Sequence, residues 1–214
     1  MKKPIKSRAA SAGQSRRTVL PHRLRIIAGN WRGSRLDFPQ LAAIRPTPDR
    51  VRETLFNWLA GKLEGARCLD LFAGSGALGL EALSRGAAEV VFVERDPRIG
   101  RYLRESLQRF DCDRGDVVVG SAWDYLSSCS RPFQVVFLDP PFGERLAERA
   151  LFGLHASGLL ASDALVYVET PIEESPPKLP SGWQLLRQGR AGQVGYHLAR
   201  APSTGEPIVG IAAG

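Results

Sequence analysis

Cys68-Leu69-Asp70-Leu71-Phe72-Ala73-Gly74-Ser75-Gly76-Ala77-Leu78-Gly79 decides the fold of this 214-residue chain. An apolar run breaks into closely spaced glycines and resumes as a stretch of helix-forming residues. Glycine lets a chain turn sharply out of a strand and lets a ligand approach the backbone without meeting a Cβ. Such a strand–turn–helix passage places a nucleotide-like cofactor over the carboxyl ends of a parallel sheet. Ala73, Gly74, Ser75 and Gly76 are therefore expected to line a cofactor. Glu94 closes the next apolar run at about the twenty-residue spacing at which an acid accepts the hydroxyls of an adenosine ribose. The same spacing suits a nicotinamide dinucleotide. Asp70, just before the turn, favours S-adenosylmethionine instead, because the amino-acid end of that cofactor carries a cationic amine that needs an acceptor.

Outward from this turn the chain alternates. Apolar runs at Cys68–Phe72, Val90–Glu94, Val117–Gly120, Val135–Asp139 and Leu165–Glu169 are separated by helical stretches near 77–85, 97–109, 123–128 and 144–154. Near-continuous apolar strands alternating with helices predict a Rossmann-like α/β domain: a doubly wound, mostly parallel sheet with helices on both faces. Trp183–Gln188 and Gly195–Arg200 predict a closing hairpin around Gly189–Gly192. The expected organisation is a basic flexible arm over 1–22, a hairpin extension over 23–40, the main domain over 41–200 and a flexible tail over 201–214.

Asp139-Pro140-Pro141-Phe142 ends the apolar run Phe133–Leu138. Consecutive prolines fix φ and remove amide donors, so the groups presented locally are acceptors. An exocyclic base amine is a poor nucleophile because its lone pair is delocalised into the ring. The Asp139 carboxylate and the Pro140 carbonyl can accept its N–H groups and raise electron density on nitrogen as charge develops. Phe142 can stack on the base, and the base must be unstacked to enter. With the glycine turn, this reads as methyl transfer to an exocyclic amine, with Asp139, Pro140, Pro141 and Phe142 as the catalytic candidates. The motif does not choose the base. Adenine N6 or cytosine N4 of DNA or RNA remain alternatives, as does a non-catalytic RNA-binding assembly factor.

Charge points to the partner. The formal net charge is +7, yet residues 1–36 hold ten basic side chains and no acid, so the remainder is slightly acidic. A basic segment on such a body suits phosphate-backbone contact. Leu24–Gly29 and Ser34–Phe38 around Asn30-Trp31-Arg32-Gly33 predict a β-hairpin. Arg23, Arg25, Arg32 and Arg35 are the phosphate candidates there. Trp31 is either a stacking platform or a pin that holds the hairpin to the body. Thr47 is expected to cap a helix whose face is Val51, Leu55, Trp58 and Leu59, with Arg50 and Arg52 off that face. Apolar residues make up 43% of the chain, without a stretch approaching the ~20 that span a bilayer. Cys68, Cys112 and Cys129 lack metal-ligand spacing, as do His22, His155 and His197. This usage predicts reduced thiols in a cytoplasmic protein and no metal.

Taken together, Arg25–Gly29 with Trp31–Gly33, Arg45–Thr47, Asp49–Leu59, Phe72–Arg85, Asp139–Phe142 and Ala191–Val194 resemble the bacterial small-subunit ribosomal RNA methyltransferase D family. The resemblance covers roughly residues 24–198. It implies transfer of a methyl group from S-adenosylmethionine to N2 of one guanine in 16S rRNA, by a monomer acting on an assembling small subunit. It also implies that Arg45-Pro46-Thr47 lies beside the methionine end of the cofactor. Arg50, off the apolar face of its helix, joins the RNA-binding candidates. Related enzymes often place Asp or Asn after the third strand to meet the adenine. This chain has Ser121-Ala122-Trp123, so a hydroxyl, backbone groups and Trp123 are expected to serve there.

Overall fold

The sheet follows from the apolar runs. A computed structural model describes residues 22–38, 47–141, 143 and 145–203. β1 (His22–Arg25) and β2 (Arg35–Phe38) form an antiparallel hairpin, followed by α1 (Asp49–Trp58). Then come β3 (Arg67–Asp70), α2 (Ala77–Ser84), β4 (Glu89–Glu94), α3 (Pro97–Arg109), β5 (Gly115–Val119), α4 (Ala122–Ser128) and β6 (Phe133–Leu138). The chain closes with α5 (Leu146–Ser157), β7 (Leu160–Pro171), β8 (Gln184–Ala191) and β9 (Val194–Arg200). The main sheet has seven strands in the order β5-β4-β3-β6-β7-β9-β8. Strands β3 to β7 pair in parallel, and β9 enters antiparallel between β7 and β8. The order reverses between β3 and β6, and a ligand crevice forms at such a switch point.

Each face of the sheet has its own core. Phe92, Phe137, Tyr167 and Leu198 pack on one side with Leu24, Leu36 and Phe38 of the hairpin and Val51, Leu55 and Phe56 of α1. On the other side Val91, Val136, Leu138 and Val168 meet Leu126 of α4 and Leu151 and Leu154 of α5. The hairpin is thus part of the first core. Gly29 (φ 80°) shows why: a Cβ there would collide with the Ser84 carbonyl, which accepts the Asn30 N–H at 2.7 Å.

Three local expectations are corrected. Pro48, and not Thr47, stands at the N-cap of α1, which has no side-chain cap; the Thr47 hydroxyl is turned to Asp139 instead. Arg52 is not off the apolar face of α1 but 1% exposed. Its guanidinium donates to the Arg25 carbonyl at 2.8 Å and the Asp49 carboxylate at 2.6 Å, and lies 3.6 Å from the Glu81 carboxylate. The β8–β9 turn is also tighter than expected, with only Gly192 and Gln193 between the strands. The arm before residue 22, Arg45, Pro46, Phe142 and the tail from 204 lie outside the described residues.

Candidate active site

Sequence makes the first half of the site by ending β3 in glycine. Gly76 stands at the N-cap of α2 with φ 74°, a left-handed conformation that favours glycine, and its N–H reaches the Ala73 carbonyl at 2.7 Å. The Glu94 carboxylate, at the end of β4, accepts the Gly74 N–H at 2.9 Å and the Asp96 N–H at 2.8 Å. Glu94 therefore shapes the turn as well as facing it, and each oxygen keeps capacity for a further donor. Asp70 is 2% exposed, and one of its oxygens accepts the Gly79 N–H at 2.9 Å. Burial pushes Asp70 up to about 7, the Gly79 bond opposes this, and the charges of Asp139 and Glu94 add to it.

Asp139 follows β6 directly, so parallel pairing sets it beside the end of β7, where Leu138 pairs with Val168. The next residue on β7 is Glu169, 4% exposed. In the sequence Glu169 closes an apolar run and carries no motif that marks it as part of a site. The signal was present: two acids end two apolar strands on the same side of the pleat. Thr47, 5% exposed, donates its hydroxyl to Asp139 at 3.2 Å and lies within reach of Glu169. The Tyr167 hydroxyl donates to Glu169 at 2.7 Å. Enclosure pushes Asp139 up to about 6, with the Thr47 bond opposing it. Enclosure and then the Asp139 charge push Glu169 up to about 8. Pro140 is buried and Pro141 exposed at the rim.

The remaining candidates divide. Ser121 caps α4, accepting the Trp123 N–H at 3.1 Å, so its hydroxyl hydrogen is what it can still offer. Ala122 is 8% exposed. The Trp123 ring lies edge-on to Phe72 at 6.4 Å between centroids and carries the Arg149 guanidinium 4.2 Å over its face, which commits it to packing. In the hairpin, Trp31 stacks on Phe110 with centroids 4.2 Å apart and planes at 5°, so one face of the ring pins hairpin to body. Arg23 is paired with Asp37 at 2.9 Å; Arg25, Arg32, Arg35 and Arg50 are exposed.

The carboxylates of the site fit a cationic adenosine cofactor. Asp70, Glu94, Asp139 and Glu169 bring carboxylates to one end of the sheet, and Asp70 senses the charge of two of them. A cofactor bearing an ammonium and a sulfonium compensates such a field, whereas a dinucleotide diphosphate would add to it.

The chain is similar to known proteins over most of its length. The family model described as conserved hypothetical protein 95 matches residues 24–200. The chain is 46% identical over 183 residues to ribosomal RNA small subunit methyltransferase D of Escherichia coli strain K12, covering 86% of this chain and 92% of the relative. Against the protein of the same name from Haemophilus influenzae it is 45% identical over 179 residues, covering 82% and 92%. A solved Escherichia coli structure superposes with a TM-score of 0.80 at 45% identity, over 85% of this chain and 99% of that one.

Proposed function

Because the chain belongs to the ribosomal RNA small subunit methyltransferase D family, we propose that it methylates the N2 amine of a guanine in 16S rRNA within an assembling small subunit. At the coarser level it is an S-adenosylmethionine-dependent methyltransferase of ribosomal RNA. The observation that carries the finer reading is the acceptor pair at the end of β6 and β7, held by Thr47 opposite the glycine turn. Bound S-adenosylmethionine supplies the methyl group. Asp139 and the Pro140 carbonyl accept the N–H groups of the amine, which keeps density on the nitrogen as positive charge develops. With proline at both 140 and 141, neither backbone position has an N–H to compete for that role. Nucleoside mass analysis of 16S rRNA, as naked RNA and in small-subunit particles, tests the reading. N2-methylguanosine formed mainly in particles is the expected outcome, and methyladenosine or methylcytidine would overturn it.

Glu94 and the turn are the proposed ribose and adenosine contacts. Glu94→Ala should weaken S-adenosylmethionine binding by at least tenfold, since charge-assisted hydrogen bonds contribute ~1.5–3 kcal/mol each. Calorimetric titration of the folded variant measures this, and unchanged affinity would place the ribose elsewhere.

Cofactor affinity should also depend on pH. Asp139, Asp70 and Glu169 are pushed up to about 6, 7 and 8. A bound cation favours their ionised forms, so binding releases protons and tightens as pH rises through that window, levelling above it. Calorimetry in buffers of different ionisation enthalpy counts the protons; a flat affinity from pH 5.5 to 8.5 would contradict the assignment.

The hairpin is the proposed RNA surface. Replacing Arg25, Arg32 and Arg35 should weaken RNA binding, spare cofactor binding and flatten the log–log salt dependence by ~0.7 for each lost phosphate contact. Arg23 should contribute less, being already paired with Asp37. An unchanged slope in the triple variant would mean that the RNA lies on another face.

A further inference from the structure

We infer that Glu169 is the base-selecting residue of the acceptor pocket: beside Asp139, it accepts the N1–H of guanine while Asp139 holds the N2 amine. The inference rests on the guanine-N2 reading and deepens it. Asp-Pro-Pro by itself presents acceptors to any exocyclic amine, so selection needs a neighbouring group that reads the next position on the base edge. Next to its amine, guanine offers N1–H, a second donor. Adenine and cytosine offer a bare ring nitrogen, an acceptor, at the equivalent place. A pair of carboxylates is complementary to the first pattern and repels the second.

The arrangement has that form. Asp139 and Glu169 lie on adjacent parallel strands one position beyond the Leu138–Val168 pair, a strand spacing of about 4.8 Å. Adjacent donors of one base edge can meet two groups so spaced. The pocket is also short of donors. Among the described residues, the side-chain donors to the two carboxyl groups are the hydroxyls of Thr47 and Tyr167. Thr47 has a single hydroxyl hydrogen and faces both acids, so it cannot serve both at once. A base edge with two adjacent N–H groups supplies what is missing. Tyr167 is fully buried, and its bond to Glu169 holds the carboxyl in place from behind. The field that pushes Glu169 up to about 8 in the absence of those donors is relieved when they and a cationic cofactor arrive.

The test uses the full-length protein and small-subunit particles whose rRNA carries either guanine or 2-aminopurine at the methylated position. 2-Aminopurine keeps the N2 amine but has no N1–H. The unaltered enzyme should prefer guanine in kcat/KM by about tenfold or more, as sites built around a hydrogen bond reject analogues that lack it. Glu169→Gln presents one acceptor and one donor, so it should lose rate on guanine, gain relative rate on 2-aminopurine and shrink the ratio by about tenfold. Proportional loss on both substrates would overturn the inference, leaving Glu169 a support for Thr47 and Tyr167. Equal use of both substrates by the unaltered enzyme would overturn it without any variant. If neither N2-bearing base is methylated and adenine or cytosine is, the guanine-N2 reading itself falls, and the inference with it.

Discussion

Asp139→Ala is expected to lower methyl transfer by about 10²–10³-fold, the usual cost of removing one preorganised group that stabilises developing charge. Cofactor affinity should fall by no more than a few-fold: one charge of the carboxylate field is lost, while Glu94 and the turn at Ala73–Gly76 belong to other elements and keep their geometry without the Asp139 side chain. The loss should therefore appear in kcat, with S-adenosylmethionine titrating nearly as before. Asp139→Asn keeps an acceptor oxygen and the side-chain volume but not the charge, so it should fall between alanine and the parent. Single-turnover rates with saturating cofactor and RNA separate the chemical step from binding. Near-parental turnover of the alanine variant would remove Asp139 from the mechanism and leave the Pro140 carbonyl as the acceptor.

What could be read from the sequence was what repeats or what breaks a repeat. β3, β4, β6 and β7 were visible as apolar runs because a parallel sheet buries both faces of its strands. The glycine turn was visible because a left-handed residue such as Gly76 and a close approach such as that of Gly79 to the Phe92 ring tolerate little else. Boundaries moved by a few residues, as at β7, which runs from Leu160 and takes up Asp163 at φ 57°.

Side-chain partners were hidden, because they are decided by which elements meet. Thr47 reads locally as a cap; only the docking of α1 beside β6 makes Asp139 its partner. Trp31 left two readings open, and the ring of Phe110, remote in sequence, closes one face of it. Arg52 looked like a surface charge because helical periodicity ranks residues by polarity and cannot show a buried acid waiting across the interface. That acid, Glu81, did leave a trace: it stands among Leu80, Ala82 and Leu83 in a helix that is buried on every side.

Glu81 is where the largest stability effect is expected. Its side chain is completely buried. One oxygen accepts the Ile27 N–H at 2.8 Å, and the other accepts the Ala28 N–H at 2.9 Å and the Arg85 guanidinium at 2.8 Å. Arg52 lies 3.6 Å away with two guanidinium nitrogens that have no hydrogen-bond partner. Glu81→Ala takes away the buried acid facing this cation, leaving it the exposed Asp49 carboxylate, and strands two backbone donors of the segment that joins β1 to its turn. Breaking a buried pair from one side costs about 3–5 kcal/mol, a large share of the ~5–15 kcal/mol that holds a domain together. Denaturant unfolding should show that loss, and hydrogen exchange should show Ile27 and Ala28 opening first. Glu81→Gln keeps acceptor oxygen for the hairpin but not the charge facing Arg52 and Arg85, and should lose less. The deciding variant is the double replacement Glu81→Leu with Arg52→Met. Removing both charges eliminates the under-compensated buried cation, so the double variant should recover much of the stability lost by Glu81→Ala. The hairpin N–H groups, still without an acceptor, should continue to exchange quickly. If Glu81→Ala costs less than about 1 kcal/mol, water reaches this cluster and the hairpin is held by its apolar face alone.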